Sequence, residues 1–306
     1  MGEGWGEGSK YTEKNMKKSL LFSLFALFST QVLAAVNIVA TTSSMGMLSR
    51  TVGADLVKVT ELAPPDRDAH TLQVRPSMLQ ALRQAQLVVS VGAELEQGWL
   101  PPAIEGSANP KILPNTNGYF EAAAQVPLID IKANANRSQG DVHPLGNPHI
   151  QLDPVRMADA ALALAERLAK LDANNASRYR QNAQQFKAEV NAKMPQWQKL
   201  AANSTGVLLY HKDGNYLLNR FNIPLLGYIE PLAGVPPTAS HLLGLVKQYK
   251  GKQGVILHTI YQGHAGINQL AQQLGWKYTA LPLEPANNSN SQAYFSLIEQ
   301  WLKAAH

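Results

Sequence analysis

Short apolar runs alternate with amphipathic stretches along most of the chain. Val36-Asn37-Ile38-Val39-Ala40 runs into Thr41-Thr42-Ser43-Ser44, the pattern of a buried strand feeding a helix cap. Val57 to Leu62 predicts a strand, Pro76 to Gln84 a helix and Leu87 to Val91 the next strand. Farther along, Gly206–Tyr210, Gly254–Leu257 and Tyr278–Leu281 predict strands, and Ser240–Tyr249, Ile267–Leu274 and Ser291–Ala304 predict helices. Strands and helices in alternation predict an α/β fold of parallel sheets with helices on both faces.

The middle of the chain breaks that rhythm. Met157–Leu171 is Ala/Leu-rich and helical, and after Asp172-Ala173-Asn174-Asn175 a second helix is predicted over Ala176–Ala201. In it Tyr179, Ala183, Phe186, Val190, Met194, Trp197 and Ala201 recur at steps of three and four, an apolar stripe. At 1.5 Å per residue it would be about 39 Å long, enough to run the length of a domain. Pro195 predicts a kink. The layout expected is an N-terminal α/β lobe over 36–172, a long connecting helix over 173–203 and a C-terminal α/β lobe over 204–306. No internal sequence repeat is visible.

The N-terminus reads as an export signal. Met16-Lys17-Lys18 supplies a positive start, Ser19–Phe28 an apolar core and Val32-Leu33-Ala34 small residues suited to cleavage after Ala34 or Ala35. The core is shorter than the roughly 20 apolar residues that span a bilayer. Residues 1–15 read as an upstream mis-start, so that 1–35 is signal plus extension. There is no cysteine, which excludes disulfides, thiolate metal sites and a lipid-anchor cysteine. A free periplasmic protein is the expectation. Loss of residues 1–34 removes four lysines and three acids, leaving the formal net charge at +4 rather than +5. Lys and Arg are dispersed, without a basic stripe, so nucleic acid is not an expected partner.

Three histidines then stand out. His70 follows Pro64-Pro65-Asp66-Arg67-Asp68-Ala69, His149 lies in Asn147-Pro148-His149-Ile150-Gln151-Leu152-Asp153-Pro154, and His211 ends the run Val207–Tyr210. Each is expected at a strand exit, where α/β folds place ligands. Each by itself is equally an ordinary loop histidine. Taken together, three imidazoles gathered from distant loops of an exported, cysteine-free chain suit a metal ion. Glu284, in Leu281-Pro282-Leu283-Glu284-Pro285, is the candidate fourth donor, a carboxylate that would offset half the charge of a divalent ion. His143, six residues before His149, is a candidate accessory contact. His258 and His264 could form a weak further site, whereas His241 and His306 read as structural.

The chain resembles the zinc/manganese substrate-binding proteins of metal ABC importers, the ZnuA/TroA type. The resemblance rests on Val36–Ala40, Asp68-Ala69-His70 to Arg75-Pro76-Ser77, Gln86–Val89 with Gly92-Ala93-Glu94-Leu95-Glu96 and Trp99-Leu100, Asn147-Pro148-His149 with Leu152-Asp153-Pro154, and Tyr210-His211-Lys212-Asp213. It implies two lobes bridged by a rigid helix with the metal between them, His70, His149 and His211 as three ligands, and a permease of the inner membrane as partner of a monomeric receptor. It also implies binding rather than catalysis. A histidine at the third position resembles the zinc branch, and imidazole suits zinc where manganese prefers oxygen. Zn²⁺ is therefore the expected cargo, with Mn²⁺ or ferrous iron the alternative and a secreted zinc hydrolase a more distant one. The sequence departs from the family at Glu284, where Asp is usual. It departs again at His258-Thr259-Ile260-Tyr261, where Glu-Pro-Gln is common, and in lacking a long His- and Asp-rich loop.

Overall fold

Residues on alternate sides of each central strand are buried in different places, and that alternation builds the architecture. The computed structural model describes Met1, 35–132 and 142–306. The signal expected within 1–35 and the Gly140-Asp141 that precedes Val142-His143 lie almost wholly outside those residues. In chain order the strands and helices are β1 Val36–Ala40, α1 Ser43–Gly53, β2 Val57–Glu61, α2 Pro76–Gln84, β3 Leu87–Ser90, α3 Leu100–Ser107 and β4 Tyr119–Glu121, then α4 Pro154–Leu171 and α5 Ala176–Ala201. They continue with β5 Val207–Leu209, α6 Asn215–Arg220, β6 Leu225–Tyr228, α7 Ala239–Tyr249, β7 Val255–Thr259, α8 Ala265–Leu274, β8 Lys277–Leu281 and α9 Ser291–Ala304.

Among the described residues the strands form two parallel four-stranded sheets, ordered β2-β1-β3-β4 and β6-β5-β7-β8. The second sheet repeats the topology of the first, a repetition the sequence does not reveal. In each lobe the second strand is added on one side of the first and the third on the other, so that β1/β3 and β5/β7 mark the switch point where open α/β sheets form a crevice at their carboxyl ends.

Val36, Ile38 and Ala40 of β1, Val207 and Leu209 of β5, and Val255 and Leu257 of β7 all enter one continuous core. Val39 and Val88 instead meet α2 and α3, while Leu208 and Ile256 meet α7 and α8. One face of each sheet is therefore private to its lobe and the other is shared. α5 is the middle of the shared core and packs on α4, α1 and α9. Its Tyr179, Ala183, Phe186, Val190, Trp197 and Ala201 are buried, as its stripe predicts, and Met194 is half-buried against them. Pro195 is accommodated within the helix. Phe186 stacks on Phe295 of α9 at 5.9 Å between ring centroids, and Trp197 meets the same ring edge-on. Residues Ala35–His306 accordingly pack as one compact unit, which two lobes with independent cores would not do.

Candidate metal centre

Each of the three histidines stands at a single 3-10 turn. His70 is inside the turn Ala69–Thr71, His149 begins Ile150–Leu152 and His211 begins Lys212–Gly214. His211 stands two residues beyond β5, whereas His70 lies in the loop after β2, nine residues past its end. His149 is not at a strand exit: the strand before it is β4, ending at Glu121, and no strand of the described residues delivers it. Its position is set by neighbours instead. Asn147 Oδ1 accepts the His149 N–H at 2.9 Å, while Asn147 Nδ2 donates to the Lys212 carbonyl at 3.0 Å, beside His211. On the other side Asp153 caps α4 by accepting from Val155 and Arg156, with Pro154 in the first turn and Arg220 bonded to its carboxylate.

These supports bring the three rings together. His70, His149 and His211 are buried and offer one ring nitrogen each within 4.8 Å of one another. Carboxylates fix two of the rings from behind. Asp68 Oδ1 takes both the backbone N–H of His70, at 2.9 Å, and its Nδ1, at 2.7 Å. Glu230 Oε2 takes His211 Nδ1 at 2.7 Å. A proton held at Nδ1 leaves the lone pair on Nε2 for the cluster, the arrangement found behind metal-bound imidazoles. His149 has neither ring nitrogen hydrogen-bonded although it is 1% exposed, a cost that a cation at the centre would remove at one of the two nitrogens.

Electrostatics differ from ring to ring. Burial, then the neighbouring His70, His211 and His143, hold His149 well below the usual histidine range. His211 is also buried, but Asp213, Glu230 and Asp68 outweigh that and push it up to about 9. A cavity of about 300 Å³ opens onto the cluster past Asp68, Asp213, Glu230 and Tyr261.

His143 lies against the group, its Nε2 3.2 Å from that of His70. Glu284 does not. Its Oε2 accepts the Ser44 N–H at 2.6 Å in the first turn of α1, with the Ser43 hydroxyl at 3.5 Å, and its Oε1 accepts from Gln151 at 3.3 Å. The carboxylate thus satisfies a helix N-terminus across the molecule, and this competes with the ligand role that its Leu-Glu-Pro context suggests. Burial outweighs these donors and raises it to about 7. His258 and His264 pair with each other, 5.0 Å between ring centroids, outside the group of three. Sequence reasoning missed Asp68, Glu230 and Asp213 as partners of the site. Asp68 is visible as an Asp-x-His cap; Glu230, nineteen residues beyond His211 and just past β6, leaves no local signal.

Residues 38–305 match the sequence profile of the family described as zinc-uptake complex component A periplasmic, ZnuA. The chain belongs to this family. Among curated relatives, the high-affinity zinc uptake system protein ZnuA of Yersinia pestis is 25% identical over 246 residues, covering 76% of this chain and 77% of that protein. The manganese ABC transporter substrate-binding lipoprotein PsaA of Streptococcus pneumoniae is 23% identical, covering 57% and 58%. Among solved structures, a crystal structure of ZnuA superposes with a TM-score of 0.75 at 21% identity, covering 89% of this chain and all of that one. FpvC of Pseudomonas aeruginosa, in complex with Mn²⁺, gives 0.73 at 21% identity, covering 88% and 96%. At those identities the structures establish the fold alone. Family membership makes the chain a metal-binding receptor of an ABC importer, working with a membrane permease. The family is described as periplasmic, and several relatives are named as substrate-binding lipoproteins of metal ABC transporters.

Proposed function

We propose that this protein is a periplasmic receptor that binds Zn²⁺ and delivers it to an inner-membrane ABC permease, with His70, His149 and His211 as ligands. The observation that carries the reading is the convergence of three buried imidazoles with their nitrogens within 4.8 Å. An all-nitrogen face of three rings favours zinc over manganese, which prefers oxygen. His143, beside His70, acts as an accessory contact on the ion's way in. The receptor acts as a single chain, free of a lipid anchor, and binding rather than catalysis is its work.

Titration of the metal-free chain with Zn²⁺ against a competing chelator tests this, with Mn²⁺ and Fe²⁺ run in parallel. One tight zinc per chain, lost in the His70→Ala, His149→Ala and His211→Ala variants, is the expected result. Preference for manganese or iron would transfer the assignment to those cargoes, and retention of zinc by all three variants would sink it.

A further inference from the structure

Three neutral imidazoles bring no negative charge to a divalent ion, so a buried site of this kind calls for a carboxylate. Two carboxylates adjoining the rings, Asp68 and Glu230, are occupied at the Nδ1 atoms of His70 and His211. Glu284 is engaged at the N-terminus of α1. Asp213 differs from all three. It is 3% exposed, and its Oδ2 accepts from Gln262 Nε2 at 2.8 Å. Gln262 is itself oriented by the Thr259 N–H, which donates to its Oε1 at 2.8 Å. This fixed chain of bonds leaves Oδ1 turned to the cluster, 3.7 Å from His149 Nε2.

That distance is too long for a hydrogen bond. It is close to the spacing of about 3.4 Å between two ligands of one tetrahedral ion with bonds near 2.0–2.1 Å. The facing nitrogen belongs to the ring whose two nitrogens are both buried without a partner. Two other shielded carboxylates have cations in place, Asp153 with Arg156 and Arg220 and Glu61 with Arg50, whereas the buried Glu96 is met by the neutral donors Thr41, Val91 N–H and Gly92 N–H. Among the described residues the donor atoms lying within 4.8 Å of one another are those of the three imidazoles; Asp213 stands just outside that group and approaches it at His149.

We propose that Asp213, and not Glu284, supplies the charge-neutralising carboxylate to the bound ion, held for that task by Gln262. This rests on the receptor reading above. It makes the sequence His211-Lys212-Asp213 a two-ligand turn, one ring and one carboxylate from a single 3-10 turn, with Lys212 directed elsewhere over the Tyr228 ring.

The test compares Asp213→Asn and Glu284→Gln in the full chain, using Zn²⁺ with a competing chelator and the visible spectrum of the Co²⁺-loaded form. Asp213→Asn is expected to weaken zinc binding about 100-fold and to change the Co²⁺ bands, while Glu284→Gln stays within about threefold with the bands unchanged. A second measurement uses the unmodified chain: the infrared difference between zinc-loaded and metal-free protein carrying ¹³C-labelled Asp carboxyls is expected to contain a coordinated-carboxylate band. Zinc uptake by the unmodified chain, with that band absent or with Glu284→Gln causing the larger loss, overturns this inference alone. No uptake by the unmodified chain overturns the receptor reading and this inference with it.

Discussion

Glu230 Oε2 and His211 Nδ1 lie 2.7 Å apart, a bond from the second residue beyond β6 to the second residue beyond β5. It fixes the ring's orientation; Asp213 first, and then this bond to Glu230, raise the ring to about 9 against the effect of burial. Near pH 7 the metal-free ring is therefore protonated, and an incoming ion must displace that proton. Apparent zinc affinity should rise with pH through neutrality and level off near pH 9. Glu230→Gln should flatten that rise above pH 7 and weaken binding roughly 10- to 100-fold. Zinc titrations at pH 6, 7, 8 and 9 measure both; an unchanged slope in the variant would contradict this role for Glu230.

For stability without metal the sign is opposite. A folded-state value raised above the ordinary 6.5 means that the protonated His211 stabilises the fold below about pH 6.5, and that this contribution is lost as pH rises through about 9. Denaturant midpoints of the metal-free chain should accordingly fall between pH 7 and 9, and less so in His211→Gln.

Glu284 gives a second pH signature. Burial raises it to about 7 from an ordinary 4.5, so across that interval the unfolded chain holds fewer protons than the folded one. Stability of the metal-free protein from this group then declines as pH climbs from about 4.5 to about 7. Glu284→Gln should remove the decline. Glu284→Ala should cost about 1–3 kcal/mol by leaving the Ser44 N–H buried and unpaired, measured as a shift in urea midpoint.

Phe295→Ala should destabilise by about 3–5 kcal/mol, because its ring lies between Phe186 and Trp197 of α5. Since both lobes contribute strands to that core, they should unfold in one transition. Two separated transitions in calorimetry of the variant would refute the shared core.

Gly118→Ala should be costly for a backbone reason. A Cβ there would sit 2.2 Å from the Lys111 carbonyl oxygen and 2.8 Å from that of Gln86, neither of which can move aside as a side chain would. A loss of about 1–3 kcal/mol is expected, read from thermal unfolding, whereas Gly244→Ala, with open space around it, should not destabilise by this means.

Periodicity carried most of the fold. Helices α2, α5 and α9 coincide with their apolar patterns, and β1, β2 and β3 follow short β-branched runs. What it missed was short or disguised: α3 opens with two prolines, β4 has three residues, and β6 contains Gly227 at φ 156°. The candidate histidines were legible because each interrupts an apolar or proline-bounded stretch. Their partners were not, since Asp213 and Glu230 resemble any loop acid until the sheets bring them to the rings.

By itself, the sequence determined the alternation of elements, the long helix, the absence of thiolate chemistry and the candidate imidazoles, all local consequences of side-chain pattern and composition. Tertiary structure decided the rest. Hydrogen bonding between parallel strands gave both lobes one topology, and the shared core set the distances between loops remote in sequence. Those distances joined His149 to the rings without a strand behind it, turned Asp213 toward that ring, and committed Glu284 to Ser44. Which carboxylate reaches an ion depends on separations of a few ångströms, and only the packed chain fixes these.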